Sequence, residues 1–463
     1  MTAQPEVATL AGLTAPDVSG PVPGPKSAQM LARQAARESN ARSYPRRLPI
    51  AIDEAHGSFV RDVDGNVFID FLAGAGVLSL GHNHPELVAV ATEQLGRLTH
   101  GLDFPTPAKE AFTDAQLSML PAGMRERTKI HFCGPTGANA VDAAVKLCKT
   151  ATGRGDIVAF RGGFHGASAV GMALTGLVEQ KAPVPNGVPG VHFFPFPYAA
   201  RPPFGGDPAD CGRLCADYFE NALRDDHGGV ALPAAVILEL VQGEGGVIPA
   251  PVDFVRRVRA VTRELGIPLI VDEVQTGCGR TGTWFAFEQY GIEPDVIVAS
   301  KALSGLGTPV ALIMYDRSLD VWAPGAHTGT FRGNQLAFAA GAEAVRIIRR
   351  DRVLENVREQ GERIRELFGA LRDLPWVLEV RGRGMMWGVE LVDPIDGRPD
   401  GALARAVQDR LLQEGLILET GGRGGGVVRL LPPLNSSSEV VETACRLIVD
   451  AVAELGADRA VAP

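Results

Sequence analysis

Two apolar runs of this chain end on residues able to do chemistry. IPLIVDEV (267–274) closes on Asp272 and Glu273 and is followed by the glycine-rich QTGCGRTG; DVIVAS (295–300) closes on Lys301, 29 positions after Asp272, with ALSGLG behind it. Carboxylates are expensive to bury without partners. A lysine at a strand end is usually solvated, but at the mouth of a cleft it is partly desolvated, which favours the neutral amine and its condensation with a carbonyl. Two further stretches matter. CGPTGANA (133–140) runs into NAVDAAVKLCK; a small turn opening a helix is either an ordinary start or a nest of N–H groups suited to a phosphate. FRGGFHG (160–166) sets Phe164 and His165 between glycines, where an aromatic could stack on a planar ligand or simply fill core.

These residues need a sheet to present them. TKIHF, DIVAF, AAVILELV, IPLIVDEV and DVIVAS are short runs with almost no polar alternation, separated by helical stretches. Such strands are buried on both faces, so an α/β fold with a mostly parallel sheet covered by helices is expected over residues 96–345. Ligands of such sheets gather beyond the carboxyl ends of the strands, which is where the residues above fall. Ahead of it, residues 1–25 read as a mobile leader and residues 26–95 as part of a smaller unit: a helix over 27–40, extended chain forced by the prolines of SYPRRLPI, and a hairpin about Asp64-Gly65. Residues 346–463 supply the rest of that smaller α+β unit: a long helix from RIIRR to ALRDL, strand-like VLEVRGRGMMWGVEL, a helix, VVRLLPPL and a last helix.

Composition narrows the class. With 45% hydrophobic and 21% charged residues the chain is ordinary for a globular protein, and a formal net charge of −9 disfavours a general nucleic-acid binder. Small molecules are the better partners. Six scattered cysteines (Cys133, Cys148, Cys211, Cys215, Cys278, Cys445) show no CxxC pair and no zinc spacing, so free thiols in a reducing cytoplasm, and no metal, are expected. The apolar runs are far shorter than the roughly 20 residues that span a bilayer.

Taken together, TGANAVDAAVK, GFHG, LELVQGEGGV, LIVDEVQTGCGRTG, IVASKAL, HTGTFRGNQLA, GRGMMWGVEL and RLLPPL occur in an order that resembles the class III, or omega-type, aminotransferases of the fold-type I pyridoxal phosphate enzymes, over roughly residues 40–455. The resemblance implies pyridoxal 5'-phosphate as cofactor. By it, Lys301 would carry the coenzyme as a Schiff base and later shuttle the substrate proton, and Asp272 would pair with the ring nitrogen. Gly137 and Ala138 would bind the phosphate through their amides, with Thr330 reaching it from a neighbouring subunit, so the active unit would be at least a homodimer. Phe164 would stack on the ring, with His165 beside it and Gln275 near the phenolic oxygen. Arg429 matches the arginine that grips a substrate α-carboxylate, and Glu244 the acid that pairs with it when no carboxylate is bound. Asn139 and Phe164 stand where the family often has Glu and Tyr, which bears on substrate fine-tuning rather than on cofactor use.

RESNARSYPRRLPI and GTFRGNQLA are similar to the diaminobutyrate:2-oxoglutarate aminotransferase subgroup, whereas commoner members have glycine where Arg332 stands. The implied reaction exchanges the amino group of glutamate with the terminal carbon of aspartate 4-semialdehyde, giving 2-oxoglutarate and L-2,4-diaminobutyrate. Arg332 would grip the α-carboxylate of that short substrate. Amino transfer to GABA, ornithine, lysine or another intermediate, and mutase, racemase or decarboxylase chemistry on the same scaffold, keep the same cofactor residues and stay open.

Overall fold

All five apolar runs form strands of one seven-stranded sheet. In spatial order it runs Thr128–Phe132, Leu312–Asp316, Val296–Ala299, Leu269–Asp272, Ala235–Leu238, Ile157–Phe160 and Val191–Phe194. The five strands from Val296–Ala299 to Val191–Phe194 are mutually parallel, while Leu312–Asp316 is antiparallel to both its neighbours. Alternate residues divide between two cores: Val236, Leu238, Leu269, Val271 and Ile297 face one, and Ile237, Ile270, Val296 and Val298 the other. Burial on both faces explains why these strands lack polar alternation, whereas Thr128–Phe132, at the sheet's edge, is only partly buried. Two strands escaped the sequence reading, Val191–Phe194 and Leu312–Asp316.

The computed structural model describes residues 10–185 and 187–461. Its two compact units are Glu86–Arg358 with Arg381–Gly384, which holds this sheet, and the chain up to Pro85 with Glu359–Val380 and Met385 onward. The sequence boundaries at 96 and 345 fall inside the larger unit, because the helix Pro85–Leu95 is tied to Gln335–Arg350 by Glu86, which pairs with Arg346 at 2.8 Å and Arg350 at 2.7 Å.

The smaller unit holds two four-stranded sheets. One orders Ile52–His56, Phe59–Asp62, Val67–Asp70 and Leu416–Ile417; the other begins with the Val377–Val380 part of the strand Val377–Arg383 and continues with Met386–Leu391, Val427–Leu430 and Glu419–Gly421. The hairpin about Asp64-Gly65 is present, in the register Phe59↔Ile69. Much of the stretch read as a mobile leader is held to it: Asp17 pairs with Val67, the Gly20 N–H donates to Asn66 Oδ1 at 2.9 Å, and Leu10 and Val22 are buried. Residues 1–9 of that stretch lie outside the described residues.

Two local expectations are corrected. SYPRR is not extended but forms a one-turn helix, Tyr44–Arg47, with Pro45 in its first turn, where the missing N–H has no helical partner to lose. The long C-terminal helix is two, Gln335–Arg350 and Val353–Leu367, broken where Arg352 takes the left-handed conformation at φ 54°.

Candidate active site

Four adjacent parallel strands deliver their following residues to one edge of the large sheet. Ile157–Phe160 leads to Phe164 and His165, Ala235–Leu238 to Glu239, Leu269–Asp272 ends on Asp272, and Val296–Ala299 leads to Lys301. Register fixes their juxtaposition: Val271 lies opposite Leu238, and Asp272 opposite Val298.

Asp272 is 4% exposed. Its Oδ2 meets His165 Nδ1 at 2.8 Å and its Oδ1 accepts the Val274 N–H at 3.1 Å. His165 is anchored in turn by its own N–H, which donates to Thr175 Oγ at 3.0 Å. Burial by itself would lower the His165 pKa, but the hydrogen bond and charge of Asp272 leave it raised above the ordinary value. Beside them Glu239 accepts from the Phe164 N–H at 2.8 Å and the Gly243 N–H at 3.0 Å, tying the GFHG loop to the QGEGG turn. Lys301 sits in the left-handed region at φ 39°, a conformation that non-glycine residues adopt at a cost and that clusters at functional sites.

The phosphate end is built by close approaches. Gly137 and Ala138 are the first two residues of the helix Gly137–Thr152, so their N–H groups have no intrahelical acceptor. Asn139 caps this turn, its Oδ1 accepting from the Thr136 hydroxyl at 2.9 Å. A Cβ on Gly137 would lie 3.0 Å from both methyls of Val274, and one on Gly166, at φ 113°, would lie 2.7 Å from Ala138 Cβ. Helix N-terminus, GFHG loop and DEVQ turn therefore converge. Gln275 closes the other side: a Cβ on Gly243 would fall 1.9 Å from its Oε1, which is buried with no hydrogen-bond partner.

Two further groups of predicted residues have partners of their own. Thr330 and Arg332 belong to a turn stitched to residues 100–103: His100 Nε2 donates to the Thr330 carbonyl at 2.7 Å and the Gly101 N–H to the Gly333 carbonyl at 2.9 Å. The Arg332 guanidinium pairs with Asp103 and donates to the His327 carbonyl at 2.7 Å. Arg429, in the smaller unit, is 1% exposed and pairs with Glu419 at 2.6 Å; the two face each other in antiparallel register. Gly421 makes room for it, since a Cβ there would come 2.8 Å from Arg429 Nε. Glu244 is half-buried in the QGEGG turn of the larger unit.

This combination can hold a planar, phosphate-bearing carbonyl compound with a basic ring nitrogen. The family model for class III aminotransferases matches residues 40–452. The chain belongs to that family. A diaminobutyrate–2-oxoglutarate aminotransferase of Rhizobium meliloti is 53% identical over 437 residues, 92% of this chain and 93% of its own. The one of Haemophilus influenzae is 47% identical, covering 89% and 92%. Among solved structures, the ornithine aminotransferase of Toxoplasma gondii superposes with a TM-score of 0.79 at 25% identity, covering 94% of this chain and 96% of its own. A transaminase from the marine bacterium Virgibacillus gives 0.84 at 22% identity, covering 93% and 100%.

Pyridoxal 5'-phosphate is the cofactor of this aminotransferase family, and the residues present fit it. The helix N-terminus suits the phosphate, the buried Asp272 suits a protonated ring nitrogen, and the orphaned amide oxygen of Gln275 calls for a donor or polar neighbour. Sequence reading missed two acids that neighbour predicted residues, Glu239 beside Phe164 and Glu419 beside Arg429. Glu239 ends an apolar strand just as Asp272 does, a signal open to view in AAVILEL. Glu419 carries no such signal, because only the strand register sets it against Arg429.

Proposed function

We propose that the protein transfers an amino group between L-2,4-diaminobutyrate, or its aldehyde counterpart aspartate 4-semialdehyde, and glutamate or 2-oxoglutarate. The observation that carries this reading is the buried His165–Asp272 pair at the end of the strand next to the one that leads to Lys301, in a chain 53% identical to a diaminobutyrate aminotransferase across 92% of its length. Bound pyridoxal phosphate supplies an aldehyde that condenses with amines and a conjugated ring that accepts the electron pair of a broken C–H bond. Asp272, oriented by His165, holds the proton on the ring nitrogen. The Lys301 amine takes the proton from the substrate carbon and returns it one position away. Gly137 and Ala138 would hold the phosphate through their free N–H groups, and Phe164 would contact the ring. Gln275 orients the phenolic edge.

Substrate choice falls to two arginines. Arg429 grips the α-carboxylate of glutamate, a role favoured by planar two-point geometry; Glu244 replaces that carboxylate when the diamine is bound. Arg332 grips the α-carboxylate of diaminobutyrate, taking over from Asp103. The working unit is a homodimer in which Thr330 contacts the phosphate of the second copy. Exposed apolar side chains flank that turn in support: Phe331 at 70%, Phe104 at 69% and Leu102 at 45%.

A panel of amino donors with 2-oxoglutarate, read by product mass, tests the reading. Diaminobutyrate should exceed GABA, ornithine and lysine in kcat/KM by at least about tenfold, which corresponds to 1.4 kcal/mol. A different donor in first place would move the substrate assignment and leave the family intact.

A further inference from the structure

Behind the ring-nitrogen carboxylate lies an arrangement that transamination does not itself require. Asp272, His165 and Glu239 are 4%, 3% and 7% exposed, so two carboxylates and an imidazole share one buried site. The imidazole gives Nδ1 to Asp272 at 2.8 Å, while its Nε2 is buried with no hydrogen-bond partner. Gly163 shows what that nitrogen faces. A Cβ there would lie 3.2 Å from His165 Nε2, 3.2 Å from the Phe160 carbonyl oxygen and 3.7 Å from Glu239 Oε1, so the far edge of the ring, that carbonyl and the second carboxylate border the same small space. Glu239 is held there, one oxygen by the Phe164 N–H and the other by the Gly243 N–H.

Proton accounting then leaves two arrangements. A neutral imidazole with its hydrogen on Nδ1 turns an Nε2 lone pair toward Glu239, which is tolerable only if Glu239 is protonated. An imidazolium turns an N–H toward an ionised Glu239. One proton serves both groups. Burial pushes Glu239 up to about 7 while the charge of His165 pulls it down, and His165 is itself raised by its two acidic neighbours against burial. With a protonated cofactor ring both arrangements are neutral overall; the two backbone N–H groups that donate to Glu239 favour its ionised form, and with it the second arrangement.

We propose that Glu239 is a positioning residue for the cofactor's ring nitrogen: it keeps the shared proton on His165, and the doubly protonated imidazole fixes Asp272 as an anion in one orientation. This rests on Asp272 being the partner of that nitrogen. The competing role for Glu239 is a plain strut between the GFHG loop and the QGEGG turn.

Histidine selectively labelled with ¹⁵N separates the two, since the chain has only nine histidines and His165→Gln assigns the signal. In wild-type enzyme at neutral pH, both ring nitrogens of His165 should carry a proton. Glu239→Gln should leave one of them bare and weaken pyridoxal 5'-phosphate binding about tenfold in a fluorescence titration, the effect of one pKa unit. Adding Glu239→Gln to His165→Gln should cost nothing more. A singly protonated His165 in the wild type overturns the proposal without any variant, and so does a His165 signal unmoved by Glu239→Gln. If Lys301 nevertheless traps the cofactor in those samples, only this proposal fails and the aminotransferase reading stands.

Discussion

At the scale of single residues, the site is a small number of buried charges with named partners, and each makes a measurable demand. Asp272→Asn keeps the shape but removes the charge proposed to face the ring nitrogen, and the glutamate half-reaction should slow roughly 10²–10³-fold, as when other preorganised electrostatic groups are removed. An unchanged rate would deny Asp272 its role. Glu273, one residue on, is structural. It is 1% exposed and accepts from the N–H groups of Ala286 at 3.1 Å and Phe287 at 3.0 Å. Burial pushes its pKa from 4.5 up to about 7, against the hydrogen bonds that lower it. The folded chain then holds a proton that the unfolded chain has released, so the stability it contributes below pH 4.5 is lost as pH rises through 7. Glu273→Gln mimics the protonated acid and should gain on the wild type by about 3 kcal/mol across that window in urea melts; a difference that stays flat contradicts the shift. Asp272 and Lys301 were legible because each closes an apolar run. Glu239 offered the same cue and was passed over, and Glu419 offered none.

Elements fix how closely these residues approach. The helix Gly137–Thr152 brings Ala138 against Gly166, whose φ of 113° and lack of a side chain leave 2.7 Å for a Cβ that could not fit. Gly166→Ala should therefore push the helix N-terminus off the phosphate: at least about a thousandfold weaker cofactor binding, roughly 4 kcal/mol, against about 1–2 kcal/mol lost in folding. Equal losses in apo stability and in binding would mean that the loop, not the phosphate cradle, was damaged. At this scale the sequence was readable where burial on both faces erased alternation, as in four of the five expected strands; the fifth, Thr128–Phe132, is only partly buried. It was less readable at Leu312–Asp316 and Val191–Phe194, which flank those strands without ending on chemistry. The helix break at Arg352 was hidden for another reason: the residues on both sides keep good helix formers, and only a backbone conformation interrupts them.

For the whole molecule, the central proposals are a shared site and a covalently held cofactor. If the turn bearing Thr330 and Arg332 serves a second copy, two chains that each fail to turn over diaminobutyrate, one lacking Lys301 and the other lacking the substrate grip, can rescue each other. Lys301→Ala mixed with Arg332→Gly should recover about one quarter of wild-type sites, since half the dimers are mixed and each mixed dimer has one complete site. No recovery in proven mixed dimers would confine Arg332 to its own subunit. The fold class was plain from the order of strands and helices, whereas the crossing of that turn came only through resemblance, because no spacing in one chain can show what a second chain touches. The most direct test of the account is at Lys301. Holoenzyme reduced with borohydride, digested and examined by peptide mass should carry the phosphopyridoxyl group on Lys301 and lose it when glutamate is added first. A chain that takes up no cofactor, or one trapped on a different lysine, would contradict the account at its base.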